Sequence, residues 1–581
     1  MIKRNHIIPF LLILTLLPVS AQVKKQDTGL KREVTLYNPY KPSLPESKKR
    51  SFLPDMNDTS KVRPEFRYEV KTTPFLPEYT ISPIKAAALL PDPLPKLYKS
   101  YINLGMGNFL TPLAEVSITN ERSKNGSIGF YGRHFSTNGY VELLNGRKVF
   151  AGYMDNNLSL FGRKFFRKST LEGSIDYKEK TSFAYGYDPE ILDYSPSKKD
   201  IRIPYNNIGA TASLISSTLD SAEFSYDFRF AYNYFTSAKN MSQHNTGISG
   251  TMSKSIEGFY IGSGLNINLY HFSDFLKTSP EYVASISPFL NKSSNLWNFK
   301  LGLQLLLEKD MTAFTSLHIY PDVNFNLTIV PSYISFYAGL SGKLEKNDPL
   351  KVISENPFLI RDGSLFKLPS TSHDLIIFAG LKGNSGLGGN YLISASYSLI
   401  SDMLFYSNIS YPDSSSAKRR GNYFSALSDN IDLLALHAEM NGPISNKLSY
   451  NGSVNLYNYT MSKFKYAWDK PGWDGKLGLK YNLRDKIIAG MEFSVQGKRW
   501  EIVNGDYVAP APGQSIPAIV DPRVMVSMPA HMNLNLSAEY RYSKILSFWT
   551  KLNNIANNRY YEWAYYPSQR FLFMLGFTYS L

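Results

Sequence analysis

The sequence predicts an all-β fold: a transmembrane antiparallel β-barrel of roughly 22 strands, within a range of about 18–24, preceded by an extended Pro-rich N-terminal segment. Three observations lead to this prediction. Apolar and polar residues alternate with period two up to the last residue, and an export signal opens the chain. Hydrophobic residues make up 43% of the chain, yet no stretch after Leu17 is apolar enough for a membrane helix. A barrel reconciles these facts economically.

The last residues form the strand that decides the class of protein. One face carries Phe571, Phe573, Leu575, Phe577, Tyr579 and Leu581. The other face includes Gly576, Thr578 and Ser580. Strict alternation indicates a strand with one apolar and one wet face. A soluble sandwich also alternates, but its apolar face would favour aliphatic residues, whereas this face is aromatic and reaches the end of the chain. A transmembrane barrel ends in this way, because its final strand closes the cylinder against the first.

The same alternation recurs between about Tyr101 and Leu581. The clearest examples are Glu223 to Tyr234, Phe259 to Leu269, Val323 to Ile329, Leu434 to Met440 and Met532 to Arg541. A membrane strand with its turn or loop takes about 20 residues, so this span holds roughly 22 strands. The 41 tyrosines and 35 phenylalanines fit two aromatic girdles at the membrane interfaces, and the polar faces would line a lumen.

Residues 1–21 read as a secretory signal peptide. Lys3, Arg4 and His6 form a positive start, an apolar run follows, and Val19-Ser20-Ala21 is a small-residue cleavage site. We therefore expect Gln22 to begin the mature chain. The sequence contains no cysteine, which excludes lipidation at an N-terminal cysteine, disulfides and thiolate metal sites.

Residues 22–97 differ from the predicted barrel, residues 98–581. Between Gln22 and Lys96 there are 11 prolines and a single glycine, Gly29. Runs such as Pro91-Asp92-Pro93-Leu94-Pro95 favour extended, polyproline-like backbone over a packed domain. Three interpretations remain: a flexible periplasmic leader, a segment inserted into the lumen as a partial plug, or a docking strap for a periplasmic or membrane protein.

The stretch from about Pro529 to Leu581 resembles the closing strands of TonB-dependent receptors. An alternating strand and a second strand precede a Leu-Asn-Asn-Ile turn, and an aromatic Tyr-Tyr-Glu segment and a Tyr-Pro pair precede the final strand. The family signature Asn-Leu-Phe-x-x-x-Tyr corresponds to residues 554–560, NIANNRY. The resemblance implies a receptor-like barrel for uptake of a solute across the outer membrane.

Two features depart from that family. The stretch between Gln22 and Tyr101 is too short for the folded plug domain and its energy-coupling motif, which argues against energised import. Leu581 also stands where many outer-membrane barrels have Phe, although Leu still places an apolar residue on the apolar face of the last strand. The chain is therefore interpreted as a plugless relative, of the kind that Bacteroidetes-like bacteria carry.

The sequence carries no catalytic signature. HExxH, P-loop and nucleophile-elbow motifs are absent. The glycine-rich stretch Gly383–Gly389 lacks the lysine and helix of a phosphate loop and is predicted to be a hairpin turn. His437 and Glu439 share one strand face and are interpreted as part of a wet barrel interior. We therefore predict no enzyme activity and no catalytic, cofactor-binding or metal-binding residues, and expect no cofactor.

The chain has a net charge of +15, with 63 basic and 48 acidic residues. A basic barrel suits contact with outer-membrane lipid and the phosphates of lipopolysaccharide, or an anion-preferring lumen. The excess lysine also fits plain solvation of loops and turns. Export and the barrel pattern argue against nucleic-acid binding.

Binding specificity would lie in the loops. The long irregular stretches are Thr181 to Arg202, Glu345 to Thr371, Pro412 to Asp429, Thr460 to Asp474 and Glu501 to Pro529. Several are rich in aromatic residues, which either bind a ligand or pack the loop onto the rim. Tyr185, Tyr187 and Tyr194 lie in the first, and Phe464, Tyr466, Trp468 and Trp473 in the fourth.

Two functions fit these predictions. The first is a channel, or uptake of an unknown solute, across the outer membrane of a Gram-negative bacterium without a full plug domain. The second is a non-transporting barrel that scaffolds an outer-membrane complex, with its N-terminal segment holding a periplasmic or outer-membrane protein partner. In either case the N-terminal segment would lie in the periplasm or in the barrel lumen.

Overall fold

The computed structural model describes residues 99–581 apart from 121–122, 188–196, 218–223, 239–240, 273–279, 311–314, 362–366, 387, 411, 414–415, 420–421, 504, 509–517 and 520–523. The chain divides into two units, Met1–Pro91 and Asp92–Leu581, and the described residues belong to the second. The predicted signal peptide and Pro-rich segment therefore lie outside the described residues.

Strands dominate the described chain. They are β1 (Ser100–Gly107), β2 (Thr111–Thr119), β3 (Gly126–Thr137), β4 (Tyr140–Glu142), β5 (Lys148–Phe150), β6 (Tyr153–Phe165), β7 (Ser169–Phe183), β8 (Arg202–Ser216), β9 (Ser225–Ser237), β10 (Ser242–Ile256), β11 (Phe259–Phe272), β12 (Glu281–Ser293), β13 (Trp297–Lys309), β14 (Thr315–Val330), β15 (Ile334–Glu345), β16 (Thr371–Asn384), β17 (Asn390–Ser410), β18 (Pro412–Asp413), β19 (Ser416–Arg419), β20 (Tyr423–Pro443), β21 (Leu448–Met461), β22 (Trp473–Leu483), β23 (Ile487–Gln496), β24 (Arg499–Val503), β25 (Gly505–Val508), β26 (Ala518–Ile519), β27 (Val524–Met528), β28 (His531–Arg541), β29 (Leu546–Asn553), β30 (Tyr561–Trp563), β31 (Tyr566–Pro567) and β32 (Leu572–Ser580). A short helix, α1 (Pro349–Glu355), lies between β15 and β16.

The long strands close into an antiparallel barrel of 22 strands, which confirms the predicted fold class. Each barrel strand pairs with its neighbours in the chain, and β32 returns to pair with β1, as predicted for the last strand. The short strands pair with one another: β4 with β5, β18 with β19, β24 with β27, β25 with β26, and β30 with β31. Of these, β25 also pairs in parallel with the end of β17.

The two ends of the barrel differ. At one end, here called the turn end, tight turns join the strands: Glu257 and Gly258, with φ of 50° and 80°, connect β10 to β11 as a hairpin turn requires. Ser385 and Gly389 close another turn there, between β16 and β17, as predicted for the glycine-rich stretch. At the other end, the loop end, the long predicted loops join the strands.

The two faces of the wall have opposite polarity. On β9, Phe228 and Phe230 are exposed on the outside, while Asp227 and Arg229 border a cavity on the inside. A wall that exposes apolar side chains outward and keeps polar ones inward needs an apolar surrounding medium, so the barrel is built to span a bilayer. Within the described ranges, no helix has the length and hydropathy that crossing a membrane would take.

The closing seam has a specific packing arrangement. Gly105 of β1 pairs with Gly576 of β32, and the Trp549 ring from β29 covers both from inside the lumen. A Cβ atom at Gly576 would lie 2.2 Å from the Trp549 ring and 2.3 Å from the Leu104 carbonyl oxygen. The indole Nε1 donates to Asn103 Oδ1 at 2.6 Å, which ties the last hairpin to the first strand. Aromatic cover of paired glycines is a known way to fix register.

Candidate functional site at the loop end

Loops from separate positions around the barrel meet at the loop end. The β7–β8 and β17–β20 loops leave the ring almost opposite each other, with ten strands between them in one direction and twelve in the other. The β29–β32 loop leaves it midway, and the β15–β16 loop carries α1 inward. Residues of the β7–β8, β15–β16 and β29–β32 loops share one buried hydrophobic cluster with the loop-end parts of β17 and β20, so the opening of the barrel at the loop end, here called the mouth, is bridged.

Aromatic side chains make the central contact of this bridge. The aromatic junction consists of Tyr185, Phe358, Tyr406, Phe424, Trp563 and Tyr566. Phe358 and Tyr566 stack with ring centroids 3.8 Å apart, and Tyr185 meets Tyr566 edge-on at 4.9 Å. Trp563 meets Phe424 at 5.4 Å. These rings come from three loops and from the loop-end parts of β17 and β20, so the junction joins opposite sides of the wall.

Hydrogen bonds fasten the loops around the aromatic junction. The Tyr566 hydroxyl donates to the Asn422 carbonyl oxygen at 2.5 Å, and the Asn422 amide Nδ2 donates to the Ala184 carbonyl oxygen at 3.2 Å. The backbone N–H of Phe424 donates to Phe358 O at 3.1 Å. Backbone groups buried far from water are thereby satisfied, which a loop entering a core requires.

The β15–β16 loop owes its shape to α1. Asp348 caps the helix by accepting from the Lys351 backbone N–H at 2.8 Å, and Pro349 occupies the first helical position. Val352 and Ile353 are buried in the cluster of the mouth. Burial raises the pKa of the Asp348 carboxyl, because the charged form loses hydration there.

Arg361 holds the segment of this loop that follows α1. Its guanidinium donates to Ser237 Oγ at 3.1 Å, to the Pro357 carbonyl oxygen at 2.9 Å and to the Leu359 carbonyl oxygen. Burial lowers its pKa to about 10. An arginine used in this way satisfies several carbonyl groups at once through its fixed fork of donors.

An ion cluster attaches the start of the same loop to the wall. Lys346 Nζ lies 2.5 Å from Glu281 Oε2 and 3.4 Å from Glu308 Oε1, and all three side chains are at most one-tenth exposed. The Ser370 hydroxyl also donates to Glu308. Burial alone would lower the pKa of Lys346, but the two carboxylates outweigh it and the pKa is raised. The lysine therefore serves as the shared counter-ion of two buried carboxylates.

A chamber opens against the aromatic junction. It has a volume of about 400 Å³ and continues into a second space of about 390 Å³. Its polar and aromatic lining includes Glu355, Arg499, His531, Asn533, Tyr560, Glu562 and Trp563. The His531 and Tyr560 rings stack at 4.7 Å, and Tyr406 donates to Glu355 at 2.6 Å. Carboxylates, amides and aromatic faces can bind a polar solute of modest size.

The structure brings together the one acid–base pair that the sequence singled out. His437 and Glu439 both face the lumen: the His437 Nε2 atom lies 3.5 Å from Glu439 Oε2, and Nδ1 lies 2.6 Å from Asn455 Oδ1. Both side chains are at least one-third exposed, which fits a wet interior. In the part of the chain that the structure describes, no three His, Cys, Asp or Glu side chains are grouped as metal ligands.

The aromatic loop residues have different environments. Tyr185 joins the aromatic junction, Tyr187 is buried, and Tyr194 lies outside the described residues. Of the second group, Phe464, Tyr466 and Trp468 pack in a second buried cluster of the mouth, whereas Trp473 is exposed on β22. Sequence reasoning missed Phe358, Phe424 and Tyr566 as their partners, because no local pattern links loops so distant in the chain.

The fold and its bridged mouth define a large transmembrane β-barrel. No family model matches the chain, and no curated protein matches it in sequence. Solved structures match in fold. The FrpB iron transporter from Neisseria meningitidis has 13% identity and a TM-score of 0.60, over 84% of this chain and 82% of its own. The pyoverdine outer-membrane receptor FpvA from Pseudomonas aeruginosa PAO1 has 12% identity and a TM-score of 0.57, over 83% and 78%.

The ferric-catecholate import receptor Fiu from E. coli K12 is also similar, with 9% identity and a TM-score of 0.57 over 84% of this chain and 82% of its own. At such identities the likeness shows the fold. The resemblance predicted from the closing strands is thus confirmed for the barrel architecture. The matched proteins are transporters and receptors rather than enzymes, in line with the lack of a catalytic signature.

Proposed function

We propose that this protein is an outer-membrane barrel that admits a polar solute through its lumen, with the aromatic junction as the barrier at the loop end. The observation that carries the proposal is the meeting of loops from opposite sides of the wall above a polar interior. Rings held by loop contacts can separate without disturbing the strand ladders of the wall.

Two further observations support uptake. The structural neighbours are an iron transporter, a pyoverdine receptor and a ferric-catecholate import receptor. The lumen wall of this chain also carries charged networks, such as Glu115 and Asp155 around Arg133, and Lys300 against Asp322. A hydrated solute can exchange its water for such groups as it passes.

The orientation follows from general barrel rules. Short turns usually face the periplasm and long loops the exterior, so the aromatic junction would face outward from the cell. Under this proposal the mature chain begins at Gln22, and residues 22–97 lie in the periplasm or in the lumen. The apolar outer wall would contact outer-membrane lipid and, at its outer rim, lipopolysaccharide.

Planar-bilayer conductance of the refolded mature protein tests the proposal. It is compared with a version lacking Gln22 to Lys96, with the Phe358→Ala/Tyr566→Ala double variant, and with both changes combined. We expect the intact mouth to restrict current and the double variant to raise it several-fold, at least in the shortened chain. Tyr481→Ala is the control, because Tyr481 lies on the outer face near the turn end.

Each outcome is distinct. A current that appears only after deletion of residues 22–96 would identify that segment as a plug, whereas a large current from the intact protein would mean an open channel. Silence from all versions, with the barrel folded by circular dichroism, would overturn transport. It would favour the second candidate, a scaffold that holds a protein partner through its Pro-rich segment, which such extended sequences suit.

A further inference from the structure

A second cluster at the mouth brings two acidic side chains together. The Tyr466 ring stacks on Trp500 with centroids 4.6 Å apart and an interplanar angle of 11°. The backbone N–H of Asp469 donates to the Trp500 carbonyl oxygen at 2.9 Å. Trp468 and Trp500 also form an isolated parallel bridge, so Asp469 of the β21–β22 loop lies beside Glu501 of β24.

Both carboxylates are buried and lie next to each other. Asp469 is 7% exposed and Glu501 only 1%, and the two are near enough to share a hydrogen bond, which needs a proton. With both groups ionised, none of their four oxygens has a donor with good geometry among the described residues. Arg499 and Lys470 are near enough to act on the pair through their charge, but the Arg499 Nη2 atom donates to the carbonyl oxygens of Tyr561 at 2.5 Å and Glu562 at 2.9 Å. Burial, and then the neighbouring carboxylate, raise the pKa of Asp469.

Two unpaired carboxylates are costly inside a protein. Each loses its hydration, and their charges repel, so the pair needs either a shared proton or a cation between its oxygens. Carboxylate oxygens are the ligands that a calcium-type cation accepts, and its coordination is flexible enough for backbone carbonyls and water to complete it. The orphaned oxygens thus point to a ligand of positive charge.

We propose that Asp469 and Glu501 bind one divalent cation of the calcium class at the mouth of the barrel. The ion would fasten the β21–β22 loop to β24, which Arg499 already joins to the β29–β32 loop. This site does not depend on transport and would serve a scaffold equally well. Two protein carboxylates suit an extracellular affinity, with a Kd on the order of 10⁻⁴–10⁻³ M.

Terbium luminescence tests the site on the full mature protein in detergent. Trp468 and Trp500 flank the two carboxylates and can sensitise a bound Tb³⁺ ion. We expect a Tb³⁺ signal that Ca²⁺ displaces and that the Asp469→Asn/Glu501→Gln double variant loses at least ten-fold. The control is Glu172→Gln/Glu439→Gln, which removes two carboxylates whose side chains are 41% and 48% exposed.

A second measurement separates binding from folding. The amide variants remove buried charge without changing shape, so they should fold without metal at least as well as the parent protein. Calcium should protect the β21–β22 loop from hydrogen exchange in the parent and in the control, but not in the double variant. An unchanged Tb³⁺ signal in the double variant, or no protection of the parent loop by Ca²⁺, would overturn the site and leave a proton-sharing pair.

Discussion

The wall and the mouth of this barrel are built on opposite rules. In the wall, apolar side chains point outward into the surrounding medium and polar ones point inward, as on β9. In the mouth, apolar side chains point inward against one another, and Val352, Leu359 and Phe424 are fully buried as in a soluble protein. One chain thus combines a wall whose outer surface suits lipid with a mouth whose apolar core suits an aqueous surrounding.

The difference lies in where the stabilising contacts come from. A wall strand satisfies its backbone with adjacent hairpins and needs only the right alternation. A mouth residue such as Tyr566 has partners far away in the chain, at Tyr185, Phe358 and Asn422. Substitutions in the two regions should therefore have separable effects: mouth variants should loosen the loops while the wall stays folded, and wall variants should act on closure.

The largest effect is expected at the ion cluster that joins the two regions. Lys346→Met leaves Glu281 and Glu308 buried without their counter-ion, which should cost about 3–5 kcal/mol. Hydrogen exchange of the 346–361 loop measures the loss, and the barrel strands should stay protected. Lys343→Met is the control, because that side chain is about half exposed and should cost at most about 1 kcal/mol. Equal effects of the two variants would contradict the role of Lys346.

A smaller effect is expected at the seam of the wall. Gly576→Ala places a methyl group 2.2 Å from the Trp549 ring and 2.3 Å from a backbone oxygen, an overpacking that costs about 1–3 kcal/mol. The folded fraction after refolding, read from gel mobility with and without heating, should fall while the mouth contacts are untouched. Gly264→Ala is the matched control, because its nearest neighbour would lie at 3.6 Å. A normal yield of Gly576→Ala would mean that the seam can shift freely.

The smallest effect concerns the cap of α1. Asp348→Ala should loosen the helix by about 1 kcal/mol, whereas Asp348→Asn keeps the cap and should cost little. Since burial raises the pKa of Asp348 in the folded protein, folding favours its protonated form, and the parent loop should gain stability as pH falls through that pKa. Asp348→Asn should lack this gain. Hydrogen exchange of α1, measured at two pH values in the parent and in Asp348→Asn, tests this difference. The same change in exchange with pH in both proteins would contradict the expectation.

The sequence could predict the wall because the alternation of apolar and polar residues that defines a wall strand lies within a short stretch of the chain. Alternation at 223–234 and 571–581 identified β9 and β32 with their faces, and the length of the predicted barrel led to roughly 22 strands. Boundaries were less accurate: β20 begins at Tyr423, inside a stretch interpreted as irregular. That stretch belongs to the mouth, where the strand extends as a hairpin and its alternation no longer separates lipid from water.

The mouth could be predicted only in part. Asp348-Pro349 carries the cap and first-position signals of a helix, yet the helix is too short to show a periodic pattern. The roles of Lys346, Phe358 and Asn422 depend on loops that meet only after the barrel has closed. The acidic pair likewise has its members 32 positions apart, in a loop and in a separate short strand, so no spacing rule would have joined Asp469 with Glu501.

The aromatic junction also has a mechanical consequence. The barrel wall is a single closed ring of 22 strands, and the hydrogen bond from Asn422 to Ala184 links loops that leave this ring on almost opposite sides. Separation of these loops would therefore remove a link across the barrel as well as a barrier. Lateral pressure from the membrane on the wall would then be coupled to the opening of the mouth.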